Sequence, residues 1–446
     1  MTTIPAYVTA VTERLRAAGY DAYLAGGCVR DTLLGKVPHD YDIATDARPD
    51  KVQEIFEDHR TILTGEKHGT VTVVSDGENI EITTYRSDGE YTDHRRPDSV
   101  SFSDTPADDV SRRDLTINAM LLDPKTGDMI DLFGGREDLA NGIIRCVGDP
   151  DRRFNEDALR IMRTLRFASV LGFEIERGTA ESVHQNRALL EDIAVERIAV
   201  ELTKLLTGKS PFGVMSEYAD VIGAAVPEIL PCVGFDQKSR HHSYDVWTHT
   251  CYAVERSEPL KDVRLALMLH DIEKPSCCRE YGGGRHFPHH AEESAVTAEK
   301  ILRRLRFDNK TIRNVTALVR YHEIDPDAEG ILSGMKRLYG ILGKELFREL
   351  FLVAEGDNRG KGDMPNDRLI KLRPLYDSVE GYASEGGCTS LDGLAVNGRD
   401  IASVGFEGRE ISAVLDSLLG YVLDGGANDR DVLIGRARDM YRSEKV

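Results

Sequence analysis

The sequence lacks several features that would assign a chain to a class of protein at once. Its seven cysteines form no CxxC pair, so neither a disulfide framework nor a zinc knuckle is predicted. No basic segment followed by an apolar stretch opens the chain, and no apolar run approaches the length that spans a bilayer. Repeats and low-complexity tracts are also missing. We therefore expect a globular cytoplasmic protein with reduced thiols and no membrane contact.

The sequence has no excess of basic residues either. Its formal net charge is −19, which argues against a surface that coats nucleic acid uniformly. A nucleic-acid partner would have to use local basic strips on an acidic body, although each strip could equally be a solvated helix face. The two candidate strips are Arg152, Arg153, Arg160, Arg163 and Arg166, and Arg303, Arg304 and Arg306.

A chain of 446 residues is long for one core, and its patterns divide it. Short β-rich segments alternate with helical ones over residues 1–145, which predicts a mixed α/β unit with a sheet of about four or five strands. Helical periodicity follows to the end, interrupted by Gly and Pro. The predicted parts are a head (1–145), a neck (146–210), a body (235–360) and a tail (385–446). The expected fold class is α+β.

Two elements of the head predict a site for phosphates and metal ions. Gly26 and Gly27 stand at a strand-to-helix turn, where glycine lets the backbone approach a phosphate. Asp40 and Asp42 follow, two residues apart on a predicted strand, so that both side chains point to one face. Two such carboxylates repel each other unless a cation lies between them. Glu81, on a later predicted strand, is the expected third carboxylate.

This geometry predicts Mg²⁺ as the cofactor, in a two-metal site. One ion would lower the pKa of an attacking hydroxyl, and the other would bridge a triphosphate and stabilise the departing pyrophosphate. The predicted chemistry is nucleotidyl transfer.

Several motifs in the first 168 residues resemble those of one family. They are similar to the class II tRNA nucleotidyltransferases and bacterial poly(A) polymerases, a branch of the polymerase-beta-like nucleotidyltransferases. The motifs are GGCVRDTLLGKVPHDYDIAT (26–45), TGEKHGTVTV (64–73), SRRDLTINAM (111–120), DMIDLFGGREDL (128–139) and DRRFNEDALRIMRTLRFA (151–168).

The resemblance implies an enzyme that adds CCA to the 3′ end of tRNA from CTP and ATP, with no obligatory protein partner. It implies that Asp157 and Arg160 read the incoming base, since an acceptor beside a donor fork suits cytosine and adenine. From spacing alone, the same two residues could be a surface ion pair of a predicted helix. The nucleotide-binding residues it implies are Gly26, Gly27, Arg30, Arg113, Asp114, Asn118, Asp157, Arg160 and Arg163.

Histidines concentrate in the body, where eight of the 13 fall between residues 241 and 322. Adjacent His and Asp with distant histidines on other helices is a ligand pattern for a divalent metal. The pattern resembles the HD phosphohydrolase superfamily, which implies a second metal site and a second, hydrolytic activity. Glu273 and His289 depart from the family pattern, so a scaffold without activity is the alternative. The expected ligands are His249, His270, Asp271, His290, His322 and Asp357.

Other functions remain open at this stage. The segment 59–73 lacks the basic GRRF-type stretch of bacterial poly(A) polymerases, and no basic extension ends the sequence. The polar loop 86–110 is full length, whereas CC-adding relatives tend to shorten it. A phosphohydrolase whose head is inactive and a non-catalytic RNA-binding scaffold are further alternatives. Neither of them needs Asp40 and Asp42. The tail, 385–446, resembles the segment of bacterial tRNA nucleotidyltransferases that contacts tRNA.

Overall fold

The computed structural model describes residues 3–63, 65, 69–89, 100–238, 243–362 and 367–444. The chain forms two compact units, Met1–Leu230 and Pro231–Val446. In these described ranges no helix combines the length and the apolar character needed to cross a bilayer. The two-way division does not test the four predicted parts, whose boundaries stay predictions. The expected α+β fold class is confirmed, with a mixed sheet in the first unit and helices through the rest.

The first unit is built on a seven-stranded mixed sheet with strand order β3-β4-β5-β2-β1-β8-β9. The prediction of four or five strands was wrong. Three-residue strands such as β3 and β9 are too short to show an alternating pattern. The strands along the chain are β1 Tyr23–Ala25, β2 Tyr41–Thr45, β3 Arg60–Ile62, β4 Thr70–Ser75, β5 Glu78–Thr84, β6 Arg86–Asp88, β7 Val100–Phe102, β8 Met120–Leu122, β9 Met129–Asp131, β10 Ile143–Ile144 and β11 Glu174–Ile175.

The centre of this sheet sets the position of the predicted site. Strands β2 and β5 run parallel, with Asp42 beside Glu81 in the register. Strand β1 runs antiparallel on the other side of β2, with Ala25 beside Asp42. Alternate residues of β2 and β5 that point into the core, such as Ile43 and Ile82, are fully buried. The opposite face of the same strands therefore carries Asp42 and Glu81 toward the glycine turn.

The described ranges of the first unit also contain eleven α-helices. They are α1 Ala6–Ala17, α2 Gly27–Leu33, α3 Pro49–Ile55, α4 Pro106–Ser111, α5 Gly135–Asn141, α6 Pro150–Glu156, α7 Leu159–Leu171, α8 Arg177–Gln185, α9 Val195–Leu206, α10 Pro211–Glu217 and α11 Ala219–Ala225. Helices α7 and α9 pack closely against each other.

One predicted helix of the neck is broken at a residue of interest. Apolar periodicity predicts a continuous helix over 151–171, but the chain leaves helical geometry at Asp157, where φ is −138° and ψ is 102°. Asp157 thus lies between α6 and α7. The reading of Asp157 and Arg160 as neighbours on one helical turn was wrong. The apolar periodicity of the sequence continues across the break because Phe154 and Leu159, on either side of it, are both buried.

The second unit is almost entirely helical. It adds one hairpin, β12 Arg279–Tyr281 with β13 Gly284–His286. Helix α17 contains a break at Gly343, where φ is 74° and ψ is 169°. The helices are α12 Val246–Glu255, α13 Lys261–Leu269, α14 Lys274–Cys277, α15 His290–Arg304, α16 Asn309–Tyr321, α17 Ile331–Gly360, α18 Asp367–Ser384, α19 Gly398–Val404, α20 Arg409–Leu423 and α21 Arg430–Glu444.

The last helices enclose an apolar cluster of their own. Ile401, Phe406, Leu418 and Leu433 are all at most 1% exposed. The segment VLDSLLGYVL lies in α20 and packs its apolar face into this cluster. Burying four such side chains contributes roughly 6–12 kcal/mol before the loss of conformational entropy is counted.

Candidate active site

A glycine turn brings a carboxylate and an arginine together at the start of α2. Gly26 has φ +71, a conformation that residues with a side chain rarely adopt. A β-carbon at Gly26 would lie 2.8 Å from Nη1 of Arg113 and 3.8 Å from Oδ2 of Asp42. The turn therefore needs glycine for its backbone angles and for the space that Arg113 fills.

Asp42 is the carboxylate at the centre of this site. Burial and the negative charges of Glu81 and Asp40 together raise the pKa of Asp42 to about 6, although Arg113 opposes the shift. A carboxyl group with two acidic neighbours gains most from a cation. One prediction was wrong in detail: Asp40 lies exposed in the bend before β2, not on the strand.

The three acidic residues fit a hard divalent cation that also takes ligands from a substrate. In the described residues, the groups of three ligand atoms within 4.8 Å of one another all lie in the second unit, so Asp40, Asp42 and Glu81 are more widely spaced. Mg²⁺ binds through one or two carboxylates and fills its remaining positions with water and phosphate oxygens. The role of Glu81 as a third carboxylate stays a prediction.

Arginines line the side of the site that faces these carboxylates. Nε and Nη2 of Arg30 donate to the two carboxylate oxygens of Asp31, at 2.9 and 3.0 Å. Nη1 of Arg30 donates to Oδ1 of Asn118 at 2.8 Å. Nη2 of Arg113 donates to the fully buried Asp109 at 2.8 Å. Anchored guanidinium groups are well suited to phosphate oxygens because little side-chain entropy remains to be lost.

Asp114 is held by an ion pair rather than offered as a metal ligand. Its Oδ2 lies 2.6 Å from Nη2 of Arg163, and its Oδ1 accepts from Nδ2 of Asn118 at 3.2 Å. Burial raises the pKa of Asp114, but the pair with Arg163 outweighs it and holds the pKa well below its usual range. Asp114 therefore stays ionised and fixes Arg163 and Asn118 at the edge of the site.

Asp157 and Arg160 both line the site, but each has another partner. Oδ2 of Asp157 lies 3.2 Å from Nη2 of Arg197, and Nη1 of Arg160 lies 2.9 Å from Oε2 of Glu156. Nη2 of Arg160 also donates to the carbonyl oxygen of Arg112 at 2.8 Å. The alternative reading as a surface ion pair between Asp157 and Arg160 is not seen among the described residues.

One cavity of about 500 Å³ brings most of the predicted site residues together, whereas Asp40 is not among the residues that line it. This volume is typical of small-molecule sites. Sequence reasoning missed Phe167 as part of the site. The guanidinium carbons of Arg30, Arg163 and Arg166 lie 4.9, 5.6 and 3.8 Å from the centre of its ring. Its place in the motif LRFA, one turn after Arg163, was the available signal. The cavity is lined by Ala25, Gly26, Gly27, Arg30, Asp42, Ile43, Glu81, Thr83, Arg112, Arg113, Asp114, Asn118, Asp157, Arg160, Arg163, Arg166 and Phe167.

The histidines of the second unit converge from separate helices on a buried point. Nε2 of His249 lies 3.3 Å from Nε2 of His270, and Nε2 of His270 lies 3.1 Å from Oδ2 of Asp271. Oδ1 of Asp271 is 3.3 Å from Nε2 of His290 and 3.7 Å from Nε2 of His322. Two groups, His249–His270–Asp271 and Asp271–His290–His322, have spacing suited to a metal ion.

Three of these rings are oriented in the manner of metal ligands. The Nδ1 atoms of His270, His290 and His322 lie 2.6, 2.8 and 2.7 Å from backbone carbonyl oxygens three residues earlier in the chain. Such bonds fix the tautomer and turn Nε2 toward the metal. Asp357 completes the cluster, 3.1 Å from Nε2 of His249.

Protonation of the cluster follows from its burial. Burial lowers the pKa of His249 and brings that of His322 to about 3, which keeps both rings neutral, as ligands must be. Burial also lowers the pKa of His270, but Asp271 and Asp357 outweigh it and raise the pKa above its usual range. One cation among these carboxylates would supply the charge that His270 now supplies.

A cavity of about 200 Å³ opens beside this cluster. Nζ of Lys274 lies 2.6 Å from Oδ2 of Asp271, and Nζ of Lys361 lies 2.7 Å from Oδ2 of Asp357. Arg285 and Arg368 also line it. Four cations beside a candidate metal site make a pocket suited to a phosphate group.

Two parts of the first unit match known protein families. Residues 22–145 match the family described as "Poly A polymerase head domain". Residues 172–217 match the family described as "Probable RNA and SrmB- binding site of polymerase A".

Curated relatives cover about half of the chain. The chain is 51% identical over 210 residues to a CCA-adding enzyme of Ligilactobacillus salivarius (strain UCC118), covering 47% of this chain and 51% of the relative. It is 52% identical over 200 residues to the CCA-adding enzyme of Limosilactobacillus fermentum (strain NBRC 3956 / LMG 18251), covering 45% and 49%. The matched part thus spans about half the length of these relatives.

Solved structures match over nearly the whole chain. A CCA-adding enzyme of Bacillus stearothermophilus, in complex with CTP, has a TM-score of 0.75 at 28% identity and covers 98% of both chains. A Thermotoga maritima CCA-adding enzyme matches with a TM-score of 0.59 at 20% identity over 97% of this chain and 94% of that one, which shows a shared fold. The resemblance inferred from the motifs, with its polymerase-beta-like head and helical continuation, is confirmed.

Proposed function

We propose, from the chain's similarity to the poly(A) polymerase head family and to CCA-adding enzymes, that it adds CCA to the 3′ end of tRNA. CTP and ATP are the nucleotide substrates, and no nucleic-acid template is used. The observation that carries the proposal is the cavity in which Asp42 and Glu81 face Arg113 and Arg30. A cation bound by these carboxylates would lie beside the arginines that would bind the triphosphate, which supports the proposal.

Different residues of the cavity bind different parts of the nucleotide. Arg30 and Arg113, both anchored by carboxylates, take oxygens of the triphosphate, with Gly26 and Gly27 leaving room for them. Asn118, held by Asp114, faces the ribose. Asp42, with Asp40 and Glu81, would hold Mg²⁺ in the proposed two-metal site. Bound there, Mg²⁺ would supply activation of the 3′-hydroxyl and stabilisation of the leaving pyrophosphate.

Base choice is assigned to Asp157 and Arg160 at the neck end of the cavity. The carboxylate of Asp157 accepts a hydrogen bond from the amino group of cytosine or adenine, and the guanidinium of Arg160 donates one to a ring nitrogen. Uracil and guanine present the opposite polarity at these positions. Because Arg197 and Glu156 hold the two side chains apart, both can address one base without neutralising each other.

The nearest alternatives are a bacterial poly(A) polymerase and an enzyme that adds only CC. Parts of both sequence arguments lie outside the described residues, namely 64 and 66–68 of the segment 59–73, and 90–99 of the loop 86–110. The identities near 50% to CCA-adding enzymes favour the CCA proposal.

Nucleotide choice provides a direct experiment. Purified protein, Mg²⁺ and tRNA that lacks its CCA end are incubated with each of the four nucleoside triphosphates separately, and with CTP and ATP together. We expect CTP to be incorporated first and ATP only after two cytidines, while UTP and GTP are refused. Repeated ATP addition to the unprimed end would support the poly(A) polymerase instead.

A second activity is favoured by the buried cluster of the second unit. We propose that His249, His270, Asp271, His290, His322 and Asp357 bind a divalent metal and that the cationic pocket beside them receives a phosphoester. Dialysis against a chelator, followed by metal analysis and a phosphatase assay with generic phosphoesters, tests it. A metal-free protein with no hydrolysis after Mn²⁺, Ni²⁺ or Co²⁺ loading would leave the helices as a scaffold.

We propose that the protein works in the cytoplasm, where tRNA is processed and where seven unpaired thiols remain reduced. Its partners are tRNA, CTP and ATP. It requires no obligatory protein partner and no membrane.

A further inference from the structure

A groove in the second unit combines arginines with apolar side chains. It lies where α15, α16 and the first part of α17 meet, and it has a volume of about 400 Å³. Arg303 comes from α15, Arg313 and Arg320 come from α16, and Ile341 and Leu342 come from α17. This basic groove shares no lining residue with the two sites described above.

The charge of this segment is opposite to that of the chain. Residues 299–320 contain seven lysines and arginines against two acidic residues, whereas the whole chain has a net charge of −19. The acidic residues are Glu299 and Asp308. A local reversal of charge on an acidic protein marks a surface that selects a polyanion.

Part of this positive charge is available to a ligand. Arg303 has one exposed partner, Glu299, at 2.7 Å, and exposed pairs of this kind contribute little to stability. Arg313 and Arg320 have no carboxylate partner within 4.0 Å among the described residues. Arg313 and Arg320 therefore take no part in the ion pairs of the described residues.

The spacing along α16 suits an extended backbone rather than a single anion. Arg313 and Arg320 are seven residues apart and so lie on one helix face, about 10 Å from each other. Thr316 and Ala317 fall between them and also line the groove. Guanidinium groups at that distance reach different phosphates of one strand.

The apolar side chains that the groove exposes are suited to contact with a ribose. Ile341 is 62% exposed although it borders the groove. Ribose presents carbon atoms and hydroxyls in the shallow minor groove of duplex RNA, which proteins recognise by shape and through phosphates and 2′-hydroxyls. A groove with arginines on one side and small apolar contacts on the other matches that pattern.

We infer that the basic groove binds the phosphate backbone of a base-paired segment of the RNA substrate. The inference rests on the proposed function and deepens it by assigning a surface of the second unit to the double-stranded part of tRNA. Arg303, Arg313 and Arg320 contact the phosphates, and Ile341 packs on ribose.

The experiment compares two triple variants of the full chain in RNA binding without nucleotides. One is Arg303→Ala/Arg313→Ala/Arg320→Ala. The control, Lys51→Ala/Lys125→Ala/Lys371→Ala, removes the same charge at exposed positions outside the groove. Filter binding to tRNA is measured between low and moderate salt, with a hairpin duplex and a single strand of equal length as further probes.

The groove variant should bind tRNA and the hairpin about 10- to 100-fold more weakly, with the salt slope reduced by about one for each lost phosphate contact. Its affinity for the single strand and its kcat at saturating tRNA should match those of the control, while KM for tRNA rises. Equal affinities and salt slopes for the two variants would overturn the inference.

The two proposals can fail separately. If the wild-type protein adds no nucleotide to tRNA but the groove variant still loses duplex binding, the proposed function fails and the surface stands. If the wild-type protein adds CCA and the groove variant keeps its KM for tRNA, the surface fails alone. Equal loss of affinity for single-stranded RNA would also contradict a duplex site.

Discussion

The head cavity and the histidine cluster are both candidate metal sites, and they differ in how many ligands the protein supplies. In the head, Asp42 stands with two more distant carboxylates in a cavity of about 500 Å³ lined with arginines. In the second unit, four histidines and two aspartates crowd at 3.1 to 3.7 Å in a largely buried cluster. A site short of protein ligands leaves coordination positions for substrate phosphates, whereas a crowded one holds its metal itself.

The difference also shows in the two aspartates at the centres. Burial and acidic neighbours raise the pKa of Asp42 to about 6. Burial acts on Asp271 in the same direction, but His270 and Lys274 outweigh it and hold the pKa of Asp271 far below its usual range. Arg113 thus does not offset the burial and the acidic neighbours of Asp42, whereas His270 and Lys274 offset the burial of Asp271. The head site should respond to added metal and nucleotide more strongly than the histidine cluster does.

The largest expected effect is on catalysis in the head. Asp42→Ala should lower nucleotide addition by about 10³-fold or more, because the metal contributes several kcal/mol to transition-state stabilisation. Incorporation of labelled CTP into tRNA that lacks CCA measures it. Glu78→Ala, an exposed carboxylate on the same strand as Glu81, is the matched control. Activity of Asp42→Ala within a few-fold of the wild type would remove this residue from the metal site.

A variant of the second unit should lose metal binding and keep nucleotide addition. His270→Ala should lower metal affinity there by about 100-fold or more, since a ligand is lost from the buried cluster, and should spare CTP addition. Metal content after gel filtration and CTP incorporation are measured on one preparation. His59→Ala, in the head and outside both cavities, is the control. Loss of CTP addition in a folded His270→Ala protein would mean that the two sites are not independent.

A smaller effect is expected on nucleotide choice. Asp157→Ala should relax discrimination against UTP by about 10- to 100-fold, because one good base contact is worth about 1–3 kcal/mol. Metal dependence should stay unchanged. Competition between CTP and UTP under single-turnover conditions gives the ratio. Arg197→Ala is the companion variant, since it removes the partner of Asp157 and keeps the carboxylate. An unchanged CTP preference in Asp157→Ala would contradict the assignment of Asp157 to base choice.

The smallest expected effect is on stability. The folded-state pKa of Asp42 lies above its ordinary value of 3.8, at about 6, so the folded protein binds this proton more tightly and loses stability as pH rises from about 4 to about 6. In the absence of metal, Asp42→Asn should therefore unfold a few degrees higher than the wild type at pH 7 and equally at pH 4. Added Mg²⁺ with CTP should raise the Tm of the wild type and leave that of the variant unchanged.

Thermal unfolding across pH measures this effect, with Glu78→Gln as the charge-matched control. A Tm for Asp42→Asn at or below that of the wild type at pH 7 would contradict the electrostatic picture of the head site.

Sequence patterns predicted the parts of the site that depend on local order. The glycine turn, the strand that carries Asp42 and the strand that carries Glu81 each follow from short-range patterns, and the mixed α/β head followed from their succession. The register of β2 beside β5 could not be derived, because it joins residues 39 positions apart and depends on packing of the whole sheet.

The neck shows why the remaining detail escaped prediction. Apolar periodicity runs through Asp157 without a sign of the break between α6 and α7, because buried residues flank it on both sides. The partner of Asp157, Arg197, lies 40 residues away on α9. The contact of Phe167 with Arg30 likewise joins two distant helices, α7 and α2, which no local pattern encodes.

The most direct test of the account is the product that the wild-type protein makes on tRNA lacking its CCA end, with CTP, ATP and Mg²⁺ together, read at single-nucleotide resolution. We expect two cytidines and one adenosine, followed by a stop that excess nucleotide does not overcome. A long adenosine tract, an end after two cytidines, or no extension by a folded protein would each contradict the claim that the head cavity is a CCA-adding site.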